Sequence, residues 1–398
     1  MNGGNPMKPD SNGGSSRGAH AHLHSIQILR AVAAFLVAFW HFAAAMTTYH
    51  HAPAWINTRN FAAIGNAGVD LFFVISGFII FHTHRHDSAG GAAAGRFLQR
   101  RALRIYPLYW LWTTALVAMW GMHAVLKTHH PTLHYLICSY LLWPAPNQDG
   151  VWRPFLEQGW TLGYEFYFYL AFAAAIALGL RRLLLPFLAG VFLTIGLASY
   201  LLDAPTSVTT LTCAQLIVEF LLGIVAAMAY AHVRAGWTRA ATLRTGVLLA
   251  GAGVLGLFGA ALAGADGVGN PPMELFVGHA PRALLYGGPA FMLVLGAVLI
   301  DSVRPVGLRG LVFLGDASYS IYLTHGFVVA AIATALKHGA GQQIGADWIV
   351  AGGIALAAAL GAGAYRLVER PVLAFFAKVL ATGRPRRAGA VEAWRGGA

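Results

Sequence analysis

Charged side chains are scarce in this sequence. Only 11% of the 398 residues are Asp, Glu, Lys or Arg, whereas 57% are hydrophobic and the mean hydropathy is +0.60. A soluble domain normally carries about 25% charged residues. Too few polar side chains are therefore present to cover a water-facing surface. The composition excludes an ordinary soluble domain and predicts that lipid surrounds much of the chain.

Cysteines and nucleotide-binding motifs are also lacking. Two cysteines, Cys138 and Cys213, are too few for a metal cluster, and we expect two unpaired, partly buried thiols rather than a disulfide. No Walker loop, dinucleotide-binding glycine motif or zinc-binding spacing occurs. The histidines outside the apolar stretches lie in segments expected to be flexible or interfacial. The sequence therefore predicts no metal site.

Ten apolar stretches are long enough to cross a bilayer, because a spanning helix needs about 20 mostly apolar residues. They lie near residues 25–46, 65–84, 103–125, 160–180, 183–202, 212–233, 245–265, 281–301, 315–337 and 348–370. A shorter stretch, Leu133–Trp143, predicts an interfacial or re-entrant helix in an outer loop. The expected fold class is all-α, a polytopic membrane helix bundle of about ten transmembrane helices.

The net charge of +12 does not indicate nucleic-acid binding, because the basic residues sit in short segments between the apolar stretches. With ten spans, all but five of the 27 Lys and Arg residues fall on one side of the membrane. The five on the other side are Arg59, Lys127, Arg153, Arg282 and Lys337. Since basic loop residues stay in the cytoplasm, both termini are predicted to be cytoplasmic.

Two terminal segments differ from the apolar region between them. Residues 1–23 are rich in Gly, Ser, Asn and His, without apolar periodicity, and predict a disordered cytoplasmic tail. Residues 373–398 are predicted to form a basic cytoplasmic tail, and residues 24–372 the transmembrane domain.

Ionisable residues inside the predicted spans are candidates for function, because lipid makes them costly. Arg30 and His41 are eleven residues apart on the first span, which puts both on one face about 16 Å apart. Asp70 and Glu165 lie at depths similar to that of His41. One histidine and two carboxylates are thus expected to converge in the outer half of the bundle. A carboxylate on one imidazole nitrogen would leave the other free to accept a proton.

On the inner side, Arg101 and Arg104 are three residues apart and share a helix face. Paired guanidinium groups suit phosphate, which arginine binds in a bidentate manner. Each of these residues also has a simpler explanation. The arginines could serve only to orient the protein in the membrane. Asp70 could cap the start of a helix, and Ser76 with Gly77 could form a close contact between two helices.

Six segments taken together resemble the membrane acyltransferase-3 family, which includes O-antigen, exopolysaccharide and macrolide O-acyltransferases. In chain order they read SIQILRAVAAFLVAFWHF, GVDLFFVISGFII, RRALRIYPLYW, WTLGYEFYFYL, LGDASYSIYLTH and YRLVERP. The resemblance runs from about residue 24 to residue 372, and the core motif residues show no departure from the family pattern.

This resemblance implies transfer of an acyl group from cytoplasmic acyl-CoA, with acetyl-CoA as the default donor, in a bacterial inner (plasma) membrane. The acceptor would be a hydroxyl of a carbohydrate, such as an envelope or exported polysaccharide, or of a small molecule. His41 would be the general base or a brief acyl carrier, oriented by Asp70 or Glu165. The other implied site residues are Arg30, Arg101 and Arg104 for the donor, and Ser76, Tyr322 and His325 for substrate or structural support. Arg30 could instead stabilise the first helix.

Two other functions compete with acyl transfer. A transporter or flippase for a glycan intermediate would use the buried charges as a proton relay and would not depend on acyl-CoA. A structural subunit of a polysaccharide complex would need no chemistry. In the outer loop, Trp143, Trp152 and Trp160 predict an interfacial aromatic belt or, less directly, a sugar-facing platform.

The orientation can be tested with a reporter at the C-terminus. Alkaline phosphatase fused after Arg395 should be inactive, because it folds only outside the cytoplasm, while a fluorescent protein at the same position should be bright. An active phosphatase fusion would reverse the predicted topology.

Overall fold

The computed structural model describes residues 23–50, 62–85, 88–123, 126, 128–148, 150, 152–202, 204, 206–212, 216–263 and 282–382. Within these ranges the chain is helical apart from turns and one isolated bridge between Pro146 and Trp152. The all-α fold class is thus confirmed. The N-terminal tail up to residue 22, Cys213 and residues 383–398 lie outside the described ranges.

The helices follow the predicted spans closely. They are α1 (His24–Tyr49), α2 (Ala67–His84), α3 (Gly91–Gly121), α4 (Leu133–Leu141), α5 (Gly159–Ala177), α6 (Leu184–Leu201), α7 (Thr206–Thr212), α8 (Leu216–Gly236), α9 (Arg239–Leu262), α10 (Gly288–Val303), α11 (Arg309–Asp316), α12 (Ser318–Lys337), α13 (Ala346–Ala364) and α14 (Arg370–Thr382). Two π-helical turns, Ala283–Gly287 and Tyr365–Glu369, precede α10 and α14.

In the described part of the chain, eight helical segments are long and apolar enough to cross a membrane. They contain α1, α2, α6, α8, α9, α10, α12 and α13. The other two predicted spans are α3 and α5, helices of 31 and 19 residues. Helix α3 carries four arginines in its first half, and α5 contains Glu165 and three tyrosines. A bundle of about ten spans is therefore consistent with the fold.

Shorter helices complete the bundle. The stretch predicted as a short outer-loop helix folds as α4. The short helices α7 and α11 were not predicted, and α14 continues into the segment expected to be a basic tail. Cys138 in α4 is buried and forms no disulfide.

Helix α2 lies inside the bundle, packed against α1, α8 and α10. Its contact with α8 is unusually close. A Cβ atom on Gly77 would lie 2.1 Å from the carbonyl oxygen of Phe220, and one on Gly223 would lie 2.2 Å from that of Val74. Glycine at both positions therefore lets the two backbones touch, as small residues do between membrane helices.

This contact predicts that Gly77→Ala destabilises the protein. The added methyl group meets backbone rather than a side chain that can move, so the helices must separate, at a cost of about 1–3 kcal/mol or more. We expect a lower melting temperature of the detergent-purified protein. Gly251→Ala on α9 is the matched control, because a Cβ there has nothing within 4 Å. Equal melting temperatures for the two variants would contradict the proposed role of the contact.

Candidate active site

Five helices, α1, α2, α3, α5 and α12, surround an internal pocket with a volume of about 90 Å³. Its polar lining residues are Arg30, Ser76, Arg101, Arg104, Thr161, Glu165, Tyr169, Ser318, Tyr319 and Tyr322. Apolar side chains of α2, α3 and α5 form the remaining wall. Six of the nine predicted site residues thus meet at one pocket, although they come from five separate helices.

Helical periodicity explains why each helix contributes several of these residues. On α2, Val69, Phe73, Ser76 and Ile80 follow spacings of three and four and therefore share one face. On α5, Thr161, Glu165 and Tyr169 recur every four residues.

One end of the pocket, which the predicted topology makes the inner end, carries three guanidinium groups, those of Arg30, Arg101 and Arg104. Arg30 is buried, and its Nη1 donates to Gln27 Oε1 at 3.0 Å. Arg101 is also buried and lies over the rings of Phe97 and Tyr169, with 5.6 and 5.7 Å from its Cζ to the ring centroids. Arg101 Nε is hydrogen-bonded to no atom of the described residues.

The acidic group of the pocket is Glu165. Its Oε1 accepts hydrogen bonds from Ser76 Oγ at 2.7 Å and from the hydroxyl of Tyr169. Ser76 is therefore a hydrogen-bond donor to a pocket carboxylate, while the neighbouring Gly77 makes the helix contact described above.

Tyr322 lines the pocket toward its predicted outer end. Its hydroxyl donates to the carbonyl of Gln158 at 3.2 Å and lies 2.8 Å from Thr161 Oγ1. The start of α5 thereby fixes the tyrosine ring, which also packs edge-on against Phe72.

Beside Tyr322, two histidines lie together. His325 Nδ1 is 2.6 Å from the carbonyl oxygen of Tyr322, and His41 Nδ1 is 2.8 Å from that of Val37. A carbonyl oxygen only accepts, so both Nδ1 atoms donate. His325 Nε2 lies 3.4 Å from His41 Nδ1 and can share the Nδ1 hydrogen only as the weaker, second acceptor beside the carbonyl of Val37. In neutral rings this leaves Nε2 of His41 as the nitrogen able to take a proton.

Among the described residues, neither Asp70 nor Glu165 is hydrogen-bonded to His41. Glu165 is occupied by its two donors, and Asp70 is held by an arginine: Arg282 Nε donates to Oδ1 at 2.9 Å and Nη2 to Oδ2 at 2.6 Å. The ion pair is buried, and Arg282 Nη2 also donates to the carbonyl of Asn66. The groups that orient His41 are instead a backbone carbonyl of its own helix and the ring of His325.

Sequence reasoning missed Arg282, Gln158 and Thr161. For Arg282 a signal existed, because it is one of only five basic residues predicted on the outer side of the membrane and lies at the start of the span predicted at 281–301. Gln158 and Thr161 carry no comparable signal, because polar residues at a helix start are common.

The outer-loop tryptophans have different environments. Trp152 is 4% exposed and packs on Tyr164, with ring centroids 5.3 Å apart, so it belongs to the core. Trp143 is 63% exposed. Trp160 lies beneath the guanidinium of Arg153. Among the described residues, no group of three or more His, Cys, Asp and Glu side chains could hold a metal ion.

Comparison with known proteins gives two similarities. A family model described as an acyltransferase domain matches residues 23–365. The exopolysaccharide production protein ExoZ of Rhizobium meliloti (strain 1021) is 33% identical over 323 residues, which cover 79% of this chain and 92% of that protein. No solved structure matches the chain.

Proposed function

The chain belongs to the membrane acyltransferase-3 family, and from this premise we propose that it transfers an acyl group, acetyl in the simplest case, from cytoplasmic acyl-CoA to a hydroxyl of an exported polysaccharide. The observation that carries the proposal is the pocket itself. It joins a guanidinium cluster at one end to Tyr322 at the other, and Tyr322 contacts the histidine pair.

The donor binds at the inner end. Coenzyme A is a polyanion, and guanidinium groups bind phosphate with paired hydrogen bonds. Arg101 Nε is buried without a partner among the described residues, so a phosphate or pyrophosphate oxygen satisfies a donor that is otherwise costly to bury. The excess of basic residues on this side agrees with a cytoplasmic donor and with an inner-membrane protein whose two ends are cytoplasmic.

The acyl group extends from this end into the pocket, between apolar side chains of α2 and α5 such as Phe73 and Leu162. This placement brings the thioester carbonyl toward Tyr322 and the histidines.

His41 acts as general base from the other side. Its Nε2 takes the proton of the acceptor hydroxyl while the hydroxyl oxygen attacks the thioester carbonyl. The carbon–sulfur bond then breaks, and the departing thiolate takes a proton from water on the cytoplasmic side. His41 releases the proton that it took from the hydroxyl to water, which restores the neutral base. If His41 instead carries the acyl group, the same nitrogen attacks first and the hydroxyl attacks the acyl-imidazole in a second step.

The acceptor class comes from the relative, which is named for exopolysaccharide production. A sugar hydroxyl reaches His41 from the outer side, where the exposed Trp143 offers an aromatic face. The alternative function, a glycan transporter or flippase, needs Asp70 as a mobile relay charge, whereas Arg282 holds both of its oxygens.

The role of His41 as the base can be tested by removing its imidazole ring. In a deletion strain complemented with the gene, His41→Ala should lower polysaccharide O-acylation about 10²–10⁴-fold at equal expression, because the base is lost. The measurement is acyl analysis of secreted and envelope polysaccharide. His338→Ala is the control, since His338 Nδ1 likewise contacts a carbonyl four residues earlier, that of Thr334, but lies on the surface.

Normal acylation by His41→Ala would refute the assignment. Intact-mass measurement of the purified wild type after incubation with acetyl-CoA, without acceptor, separates the two routes. An acetyl adduct absent from His41→Ala identifies a covalent carrier, and an unmodified mass identifies a base.

The proposed donor site can be tested by removing its guanidinium groups one at a time. Arg101→Ala and Arg104→Ala should each raise the dissociation constant for acetyl-CoA about tenfold or more, because a charge-assisted hydrogen bond contributes about 1.5–3 kcal/mol. Binding would be measured on purified protein by calorimetry. Arg96→Ala on the same helix removes an equal charge outside the pocket and should leave affinity within about twofold. Equal losses in all three variants would indicate general electrostatics rather than a site.

A further inference from the structure

Glu219 is a buried carboxyl group that the proposed reaction does not use. It lies on α8, is 0% exposed, and neither carboxyl oxygen is hydrogen-bonded to a donor of the described residues. Its Cγ would be 2.9 Å from a Cβ on Gly287, so the glycine in the π-helical turn leaves the space that this side chain fills. It is not among the residues that line the transfer pocket.

Two charged groups face Glu219, Asp70 from α2 and Arg282 from the segment before the π-helical turn. Tyr286 of that turn lies beneath the guanidinium of Arg282, at 5.4 Å. Near Glu219, Phe168 of α5 stacks on Phe220, and Val294 of α10 belongs to the apolar cluster that includes Ala226 of α8. The polar contact of Arg234 with the carbonyl of Ser302 lies at the other end of α8. The local charges are therefore one guanidinium and two carboxyl groups.

Charge balance decides which carboxyl group is ionised. Arg282 binds both oxygens of Asp70 at 2.9 and 2.6 Å, so this pair is neutral as a unit. A second carboxylate would have no counter-ion of its own, and burying an unpaired charge costs far more than protonating the group. Glu219 and Asp70 are neighbours across the contact between α2 and α8. Two neighbouring carboxyl groups form a hydrogen bond only when one of them carries a proton.

We propose that Glu219 is a proton-binding site within the membrane, a neutral carboxylic acid that donates its proton to the Asp70 carboxylate held by Arg282. This Glu219–Asp70–Arg282 triad is separate from the transfer pocket, although α2 forms part of both. A protonated Glu219 carries no negative charge. Within the triad, Arg282 therefore forms its ion pair with Asp70 alone. The start of α10 is thereby tied to α2.

The experiment is infrared difference spectroscopy of the purified full chain in lipid vesicles at pH 7, and it does not depend on acyl transfer. Subtracting the spectrum of Glu219→Gln from that of the wild type should show the loss of one carboxylic-acid C=O band, which shifts when H₂O is replaced by D₂O. The control is Glu157→Gln, an exposed residue, whose difference spectrum should show carboxylate bands.

A wild-type minus Glu219→Gln spectrum that contains only carboxylate bands would overturn the proposal, because Glu219 would then be ionised. Asp70→Asn tests the triad separately. With its carboxylate removed, Arg282 should recruit Glu219 as counter-ion, so the acid band should disappear although Glu219 is present. An acid band that persists in folded Asp70→Asn would refute coupling within the triad. If Asp70→Asn does not fold, the comparison with Glu219→Gln still decides the protonation state.

Discussion

The backbone contact between α2 and α8 at Gly77 and Gly223 determines how the rest of the bundle is arranged. With no Cβ at either position, α2 approaches α8 closely enough to be fixed in rotation as well as position. One face of α2, with Val69, Phe73 and Ser76, then lines the pocket, while Asp70 on another face meets Arg282. A small rotation of α2 would place Asp70 toward lipid or the pocket and remove Ser76 from Glu165. The site and the buried ion pair therefore depend on the same contact.

Lipid also requires that each buried polar group find a partner inside the protein. Most buried ionisable groups meet this requirement through neighbouring helices: Glu369 accepts from Ser320 at 2.6 Å, and Asp301 accepts from the backbone of Ser25 at 2.8 Å. Arg101 Nε is an exception that lines the pocket. A buried donor without a partner is costly, and under the proposed function the binding of anionic acyl-CoA offsets that cost. Arg101 differs in this way from Arg282, whose guanidinium is paired with Asp70.

The sequence predicted the parts of the fold that depend on one helix at a time. Hydropathy located the spans because lipid imposes a minimum apolar length, and periodicity placed Arg101 and Arg104 on one face. The sequence could not predict which residues of different helices meet, because this depends on how each helix is rotated about its axis and how deep it lies relative to its neighbours. Asp70 and Arg282 are 212 residues apart, and nothing local favours that pair over Asp70 and His41. Helices α11 and α14 were missed for a different reason: α11 is short and α14 is amphipathic, so neither resembles a span.

The side chain beside His41 is a histidine, His325, and not a carboxylate. Under the proposed reaction, this difference affects the charge that the His41 ring carries before the acceptor binds. A buried carboxylate would favour the charged imidazolium before the acceptor arrives, which removes the base. The neutral ring of His325 fixes the same tautomer through Nδ1 of His41 but adds no negative charge. When Nε2 of His41 takes a proton, its Nδ1–H becomes a stronger donor to the carbonyl of Val37 and to His325 Nε2. These contacts therefore stabilise the imidazolium as it forms in the transition state. A general base in a site surrounded by lipid needs stabilisation at this stage of the reaction.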